Sequence, residues 1–268
     1  RPAWRETMAA VPEALPREEL PIVRRSERRD AWWVQPLIVV VVLTGFGIYA
    51  TWAALQNANY YAPPYLSPFY SPCLAANCAH VTLPLIGSWW TLSPGLLILW
   101  IPLGFRTTCY YYRKAYYRSF FWSPPACAVP DARRSYSGET RFPFVLQNLH
   151  RYFFWPSVLV LVFLWWDALL AFRFPTGFGI GLGTIVLLAN ATLLSLYTFS
   201  CHSCRYLCGG YLDSFKKAPI RYRLWSLVNR LNERHAEFAW VSLFGVALTD
   251  LYIRLVASGV IADPRIVF

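Results

Sequence analysis

Hydrophobic positions in this chain fall in long unbroken blocks rather than at the three-four spacing of a half-buried helix. Residues 31–105 contain no Asp, Glu, Lys or Arg, and residues 152–204 contain only Asp167 and Arg173. A helix needs about 20 apolar residues to cross the hydrocarbon core of a bilayer. The blocks predict five such helices, at roughly 34–55, 83–105, 153–172, 180–200 and 236–257. The second holds Pro84, Pro94 and Pro102, which predicts kinks. The third and fourth are separated only by the short FRFPTGFG turn. The ten-residue alternation of a membrane β-barrel is missing, and helices satisfy their backbone groups without water. The predicted fold is therefore all-α. A cytoplasmic segment at 1–33 leads into a single five-helix transmembrane domain at 34–257, and 258–268 form an outer tail.

Composition agrees with the pattern. Of 268 residues, 56% are hydrophobic and 15% charged, against about 25% charged in a soluble domain. Aromatics reach 18%, with 13 Trp, which suits interfacial belts. The net charge of +11 would suit nucleic acid if it were clustered on one face. Instead it is segregated between apolar blocks, which excludes a nucleic-acid binder, an ordinary soluble globule and a disordered tail. About 30 highly charged residues precede the first apolar block, so the N-terminus reads as a solvated segment and not a cleavable signal.

The charges also orient the chain. Residues 1–30 carry seven Lys and Arg, 106–151 carry eight and 205–235 carry seven. The opposite side carries only Arg173 and Arg265. The positive-inside rule then places the N-terminus in the cytoplasm and the C-terminus outside the membrane. Cys73 and Cys78 fall on the outer side, close enough in sequence for a disulfide. Cys109, Cys127, Cys201, Cys204 and Cys208 fall on the reducing side, where free thiols or metal ligands are expected.

The two cytoplasmic segments align with each other. Cys109-YYYRKAYYRSF matches Cys204-RYLCGGYLDSF at an offset of 95, and His150-RYFFW matches His235-AEFAW at an offset of 85. Each half reads as an inward helix, a Cys, a basic aromatic segment, a His and an outward helix, an internal pseudo-two-fold repeat about the membrane normal. Cys109, His150, Cys204 and His235 are the predicted metal ligands. Two Cys and two His suit tetrahedral zinc. They equally suit a Rieske-type two-iron two-sulfur cluster. Cys201, Cys208 and His202 are alternates to Cys204, since Cys201, Cys204 and Cys208 would share one helical face.

Two further features add to the picture. In KKAPIRYRLWSLVNRLNERH, the residues Leu224, Leu227, Val228, Leu231 and His235 form one apolar face, and Arg221, Arg223, Arg230 and Arg234 can meet lipid headgroups. This predicts an interfacial amphipathic helix, or a platform for a soluble partner. Asp250 and Arg254 are spaced to pair within the last helix, and Asp167 and Arg173 flank the outer end of the third.

The segments RTTCYYYRKAYYRSFF, LHRYFFW, CHSCRYLCGGYL, FKKAPIRYRLW and ERHAEFAW resemble the membrane-anchor subunit of succinate dehydrogenase. The likeness is to the single-chain anchor of the actinobacterial, mycobacterial F-type enzyme of respiratory complex II, over about 106–240. The resemblance implies a flavoprotein subunit and an iron–sulfur subunit as partners on the cytoplasmic face. It implies electron passage from succinate to a membrane quinone, through a membrane-embedded Rieske-like 2Fe–2S cluster in place of haem. A haem b held by His150 and His235 is the alternative of the same class, and a non-redox scaffold or transporter with structural zinc the alternative outside it. No nucleotide loop, catalytic triad or HExxH motif is present, so the chain is not expected to act on succinate alone.

Overall fold

The structure is a computed structural model that describes residues 28–72, 94–132, 140–142, 144–210 and 212–268. The Cys73–Cys78 pairing, most of the N-terminal segment and the first half of the second predicted span lie outside the described residues.

Nine α-helices are described. They are α1 (Val34–Gln56), α2 (Pro94–Ile98), α3 (Trp100–Thr108), α4 (Tyr110–Phe120), α5 (His150–Leu170), α6 (Leu182–Phe199), α7 (His202–Gly209), α8 (Pro219–Glu233) and α9 (His235–Ala257). Among the described residues, α1, α5 with its leading 3-10 turn, α6 and α9 are long and apolar enough to cross a membrane. Their ends fall within a few residues of the predicted bounds. The second predicted span is represented by its inner half, broken into α2 and α3. The break has a local cause. Pro102 has no N–H for the Ile98 carbonyl, and α2 ends at Ile98. The helical path also runs three residues past the predicted end, to Thr108.

The helices form a bundle in which α6 packs on α5 and α9, α3 on α5, and α1 on α4. The usual soluble distribution is inverted. Val41 and Ile48 are 63% and 67% exposed, and α1 buries only Ala53 and Ala54. Asn190, Thr184, Ser242, Thr249, Asp250 and Arg254 are buried between α6 and α9 or on their inner faces. Lipid is the solvent for the apolar exterior, and polar groups find partners only inside. At Gly104 on α3 an added Cβ would overlap the Phe153 ring of α5, so the absent side chain is what lets these helices close up.

One end of the bundle is capped by small β-structure that hydrophobic blocks do not reveal. β1 (Tyr61–Ala62) and β2 (Tyr65–Leu66) form an antiparallel hairpin, with Tyr65 and Leu66 buried. β3 (Arg173–Phe174), β4 (Gly177–Gly181) and β5 (Arg265–Val267) form a three-stranded sheet. The last residues are thus tied down, Ile266 opposite Ile180, and do not hang as a free tail. Asp263 anchors the same end by accepting from the Tyr65 and Tyr252 hydroxyls at 2.7 and 2.6 Å and from the Gly183 N–H at 2.9 Å.

Asp250 and Arg254 pair as their spacing predicts, at 2.7 Å and nearly out of solvent. The Tyr49 hydroxyl donates to Asp250 at 2.6 Å and the Ser67 hydroxyl donates to its other oxygen. Arg254 also donates to the carbonyls of Ala53 and Ala58 and to Gln56. Asp167 and Arg173 do not pair. Asp167 accepts from the Ser71 hydroxyl, and Arg173 points to the exposed edge of β3.

The predicted amphipathic helix exists as α8, but not all of its predicted surface is free. Arg221 turns back to the end of α7, donating to the carbonyls of Cys208, Leu207 and Gly210 at 3.0, 3.2 and 2.8 Å. It caps the negative end of that helix instead of meeting headgroups. Val228 is buried against α7, while Leu224 and Leu227 are exposed.

Candidate metal centre

The end of the bundle opposite the β-cap is built from two copies of one local device. α3 ends at Thr108, and Cys109 turns the chain in an extended conformation (φ −63°, ψ 129°) to cap the start of α4. α6 ends at Phe199, and Cys201 turns the chain in the same way (φ −73°, ψ 160°) to cap α7. Both cysteines follow a hydroxyl residue, and both lie four residues after an aromatic: Phe105-Arg-Thr-Thr-Cys109 and Tyr197-Thr-Phe-Ser-Cys201. Cys109 is 2% exposed and Cys201 is 1% exposed.

A histidine from the next long helix meets each hydroxyl. Thr108 Oγ1 lies 3.1 Å from His150 Nδ1, and Ser200 Oγ lies 2.7 Å from His235 Nδ1. The Thr108 hydroxyl proton goes to the Gly104 carbonyl at 2.6 Å, and that of Ser200 to the Tyr197 carbonyl at 3.1 Å. With the hydroxyl protons on those carbonyls, each oxygen is free to accept from an Nδ1–H, the tautomer that would leave the Nε2 lone pair free. His235 Nε2 is 3.4 Å from Cys109 Sγ, close enough for the thiol to donate to it. The rings are fixed by stacking, His150 on Phe105 at 4.6 Å and His235 on Tyr197 at 5.2 Å. Hydroxyl partners of this kind hold a metal-binding histidine in one orientation.

The repeat is thus real, but its register differs from the one the alignment predicts. Cys109 corresponds to Cys201, an offset of 92, because both close a helix and cap the next. Cys204 sits inside the first turn of α7, and its N–H donates to Cys201 Sγ at 3.4 Å. Identical side chains three residues apart misled the alignment; the helix ends decide the register. Cys208 is half-buried one turn further on, and exposed His202 lies edge-on to Tyr110. The four predicted ligands do not converge as a quartet. Cys109 and His235 meet, Cys201 and Cys204 share their core cluster, and His150 lies across the Phe105 ring. Among the described residues no three His, Cys, Asp or Glu side chains form a group that could hold a metal ion.

Cys109 and Cys201 also share a backbone environment. Burial pushes the Cys109 thiol up, and the backbone N–H groups of Tyr111 and Tyr112 oppose it. Burial pushes Cys201 up to about 11, opposed by the N–H groups of Cys204 and Ser203. The donors lie two and three residues ahead in both cases, at the positive ends of α4 and α7. A coordinated metal would ionise both thiols. The Tyr197 hydroxyl is buried beside them with no hydrogen-bond partner of normal geometry. An orphaned donor in an enclosed site is expensive unless something else occupies it. Two buried thiols with backbone N–H support and two imidazoles held by hydroxyls are the donor types that this end of the bundle gathers. Arg106, Thr108 and Ser200 escaped the sequence reading, although the aromatic-x-x-(Thr/Ser)-Cys repeat was there to find.

Comparison with known proteins shows the family. The family model described as actinobacterial succinate dehydrogenase subunit SdhC matches residues 34–259. Among solved structures, a chain of the Mycobacterium smegmatis Sdh1 complex in the apo form is 47% identical, with a TM-score of 0.83. The match covers 93% of this chain and 96% of that one. No curated protein sequence matches.

Proposed function

Because the chain belongs to the actinobacterial succinate dehydrogenase subunit SdhC family, and is a multi-pass membrane subunit of that complex, we propose that it carries electrons from the soluble redox subunits to quinone. The partners are a flavoprotein subunit and an iron–sulfur subunit, docked on the cytoplasmic face. The reading draws on the basic aromatic surface of α4 and α8, where Lys114, Tyr222 and Arg223 are exposed. The orientation has the N-terminus in the cytoplasm and the C-terminus outside. Its support is that the basic segments, α4, α7 and α8 gather at one end of the bundle and the β-cap lies at the other.

The site is proposed to hold a Rieske-type 2Fe–2S cluster through Cys109, Cys201, His150 and His235, with Cys204 as the alternate thiolate. The observation that carries this is the duplicated hydroxyl–Cys step with an oriented histidine at each copy. A cluster with imidazole ligands would supply one-electron transfer at about −150 to +300 mV, within reach of a quinone pool. Thr108 and Ser200 hold the imidazole protons on Nδ1, and the Phe105 and Tyr197 rings keep water from the Nε2 lone pairs.

The test is the purified complex, examined by visible and EPR spectroscopy with metal analysis. A reduced 2Fe–2S signal with imidazole character is expected, and it is lost when His150 and His235 are both changed to Ala. That variant should lose quinone reduction while retaining part of its succinate oxidation with artificial acceptors. A Soret band without an extra iron–sulfur signal, or zinc in place of iron, refutes the cluster.

A further inference from the structure

Arg106 is a buried cation at the inner end of the bundle, 9% exposed, on the last turn of α3. Its side chain crosses to α9. Nη1 donates to the Tyr112 hydroxyl at 2.5 Å and the Ala239 carbonyl at 3.2 Å, and Nη2 donates to the Ser242 hydroxyl at 3.1 Å. The guanidinium carbon lies 4.6 Å from the centre of the Tyr197 ring, the ring on which His235 stacks. Every one of these partners is uncharged, and among the described residues no carboxylate pairs with Arg106. Arg254, buried to a similar degree at the outer end, is salt-bridged to Asp250. Buried charges are ordinarily paired, because the water they give up must be replaced. An unpaired buried guanidinium three residues from Cys109 therefore marks a place where negative charge is to be held.

A 2Fe–2S centre with two thiolates and two neutral imidazoles is uncharged when oxidised and singly anionic when reduced. We infer that Arg106 is the fixed countercharge for that added electron, raising the midpoint potential of the centre if Cys109, Cys201, His150 and His235 hold it as proposed above. The sign follows directly: a nearby cation lowers the energy of the reduced, anionic form and leaves the neutral form nearly unaffected. The polar groups around Arg106 suit this role. Tyr112, Ala239 and Ser242 hold the guanidinium in place without neutralising it, so its field remains available to the centre.

The test is an EPR-monitored redox titration of the whole complex. Arg106→Gln should retain the signal but shift the reduction equilibrium by roughly tenfold toward the oxidised form, which is ~59 mV for one electron. Arg106→Lys, which keeps the charge, should recover most of that shift. Ser242→Asp leaves the arginine in place and sets a carboxylate opposite Nη2, so it should lower the potential in the same direction. A Gln variant with a full signal at the wild-type potential overturns the inference. If the Gln variant fails to load iron, Arg106→Met is read in its place: a potential lowered in the Met variant but near wild type in the Lys variant supports the countercharge, and equal potentials overturn it. Loss of the centre in both variants, with the subunit still in the complex, makes Arg106 a packing residue and also overturns it. Wild-type complex without the membrane iron–sulfur signal is a different failure, that of the cluster itself.

Discussion

Replacing Asp250 with Ala should destabilise the half of the bundle next to the β-cap without touching the candidate metal centre at the other end. The carboxylate accepts from Arg254 Nε at 2.7 Å, from the Tyr49 hydroxyl at 2.6 Å and from the Ser67 hydroxyl. Breaking a buried ion pair from one side costs about 3–5 kcal/mol, because the remaining charge has no partner. Here Arg254 keeps the Ala53 and Ala58 carbonyls at 2.9 and 2.8 Å, which moves the charge term toward the low end of that range. The orphaned Tyr49 and Ser67 hydroxyls then add about 1–3 kcal/mol each in a dry interior. A loss of about 5–9 kcal/mol results, which for a chain of this size lowers the denaturation midpoint by roughly 10 °C or more. Asp250→Asn keeps an acceptor oxygen and should lose about half as much. Changing Asp250 and Arg254 together to Leu removes the unpaired charge, so the double variant should be more stable than Asp250→Leu alone. The assay is thermal denaturation of the detergent-solubilised complex followed by tryptophan fluorescence. Asp250→Ala melting within a degree or two of wild type would refute the reasoning, as would a double variant weaker than the single.

Other outcomes follow from the same structure. Cys201→Ala should remove the iron–sulfur signal while Cys204→Ala retains it, measured by EPR and iron content; the opposite result would restore the register of the sequence alignment. Ser200→Ala removes the acceptor that holds the His235 Nδ1 proton, and should lower iron retention roughly tenfold or more under chelator challenge. Gly104→Ala forces the Phe153 ring off α3 and should cost about 1–3 kcal/mol, visible as a lower melting midpoint of the complex. Alkaline phosphatase fused to the C-terminus should be active, and fused after residue 33 inactive, in cells.

The membrane class, the bounds of four spanning helices and the Asp250–Arg254 pair were legible in the sequence by itself. These depend on local quantities: twenty apolar residues in a row, or two opposite charges one helical turn apart. The sequence also marked the cysteines and histidines of both halves as equivalent. It put Cys204 ahead of Cys201 only by matching identical side chains, since both lie near the end of the same apolar block. That choice rests on where α6 stops and α7 starts, and so on which sulfur faces the N–H groups of the next turn. The partners of Thr108 and Ser200 were likewise invisible, because His150 and His235 lie 42 and 35 residues away and only the packing of α3 on α5 and of α6 on α9 brings them into reach. Arg106 shows the same limit. In sequence it is one basic residue at an inward helix end, indistinguishable from a positive-inside charge. Tertiary structure alone turns it away from the headgroups and buries it between Tyr112, Tyr197 and Ser242, with no carboxylate to meet it among the described residues.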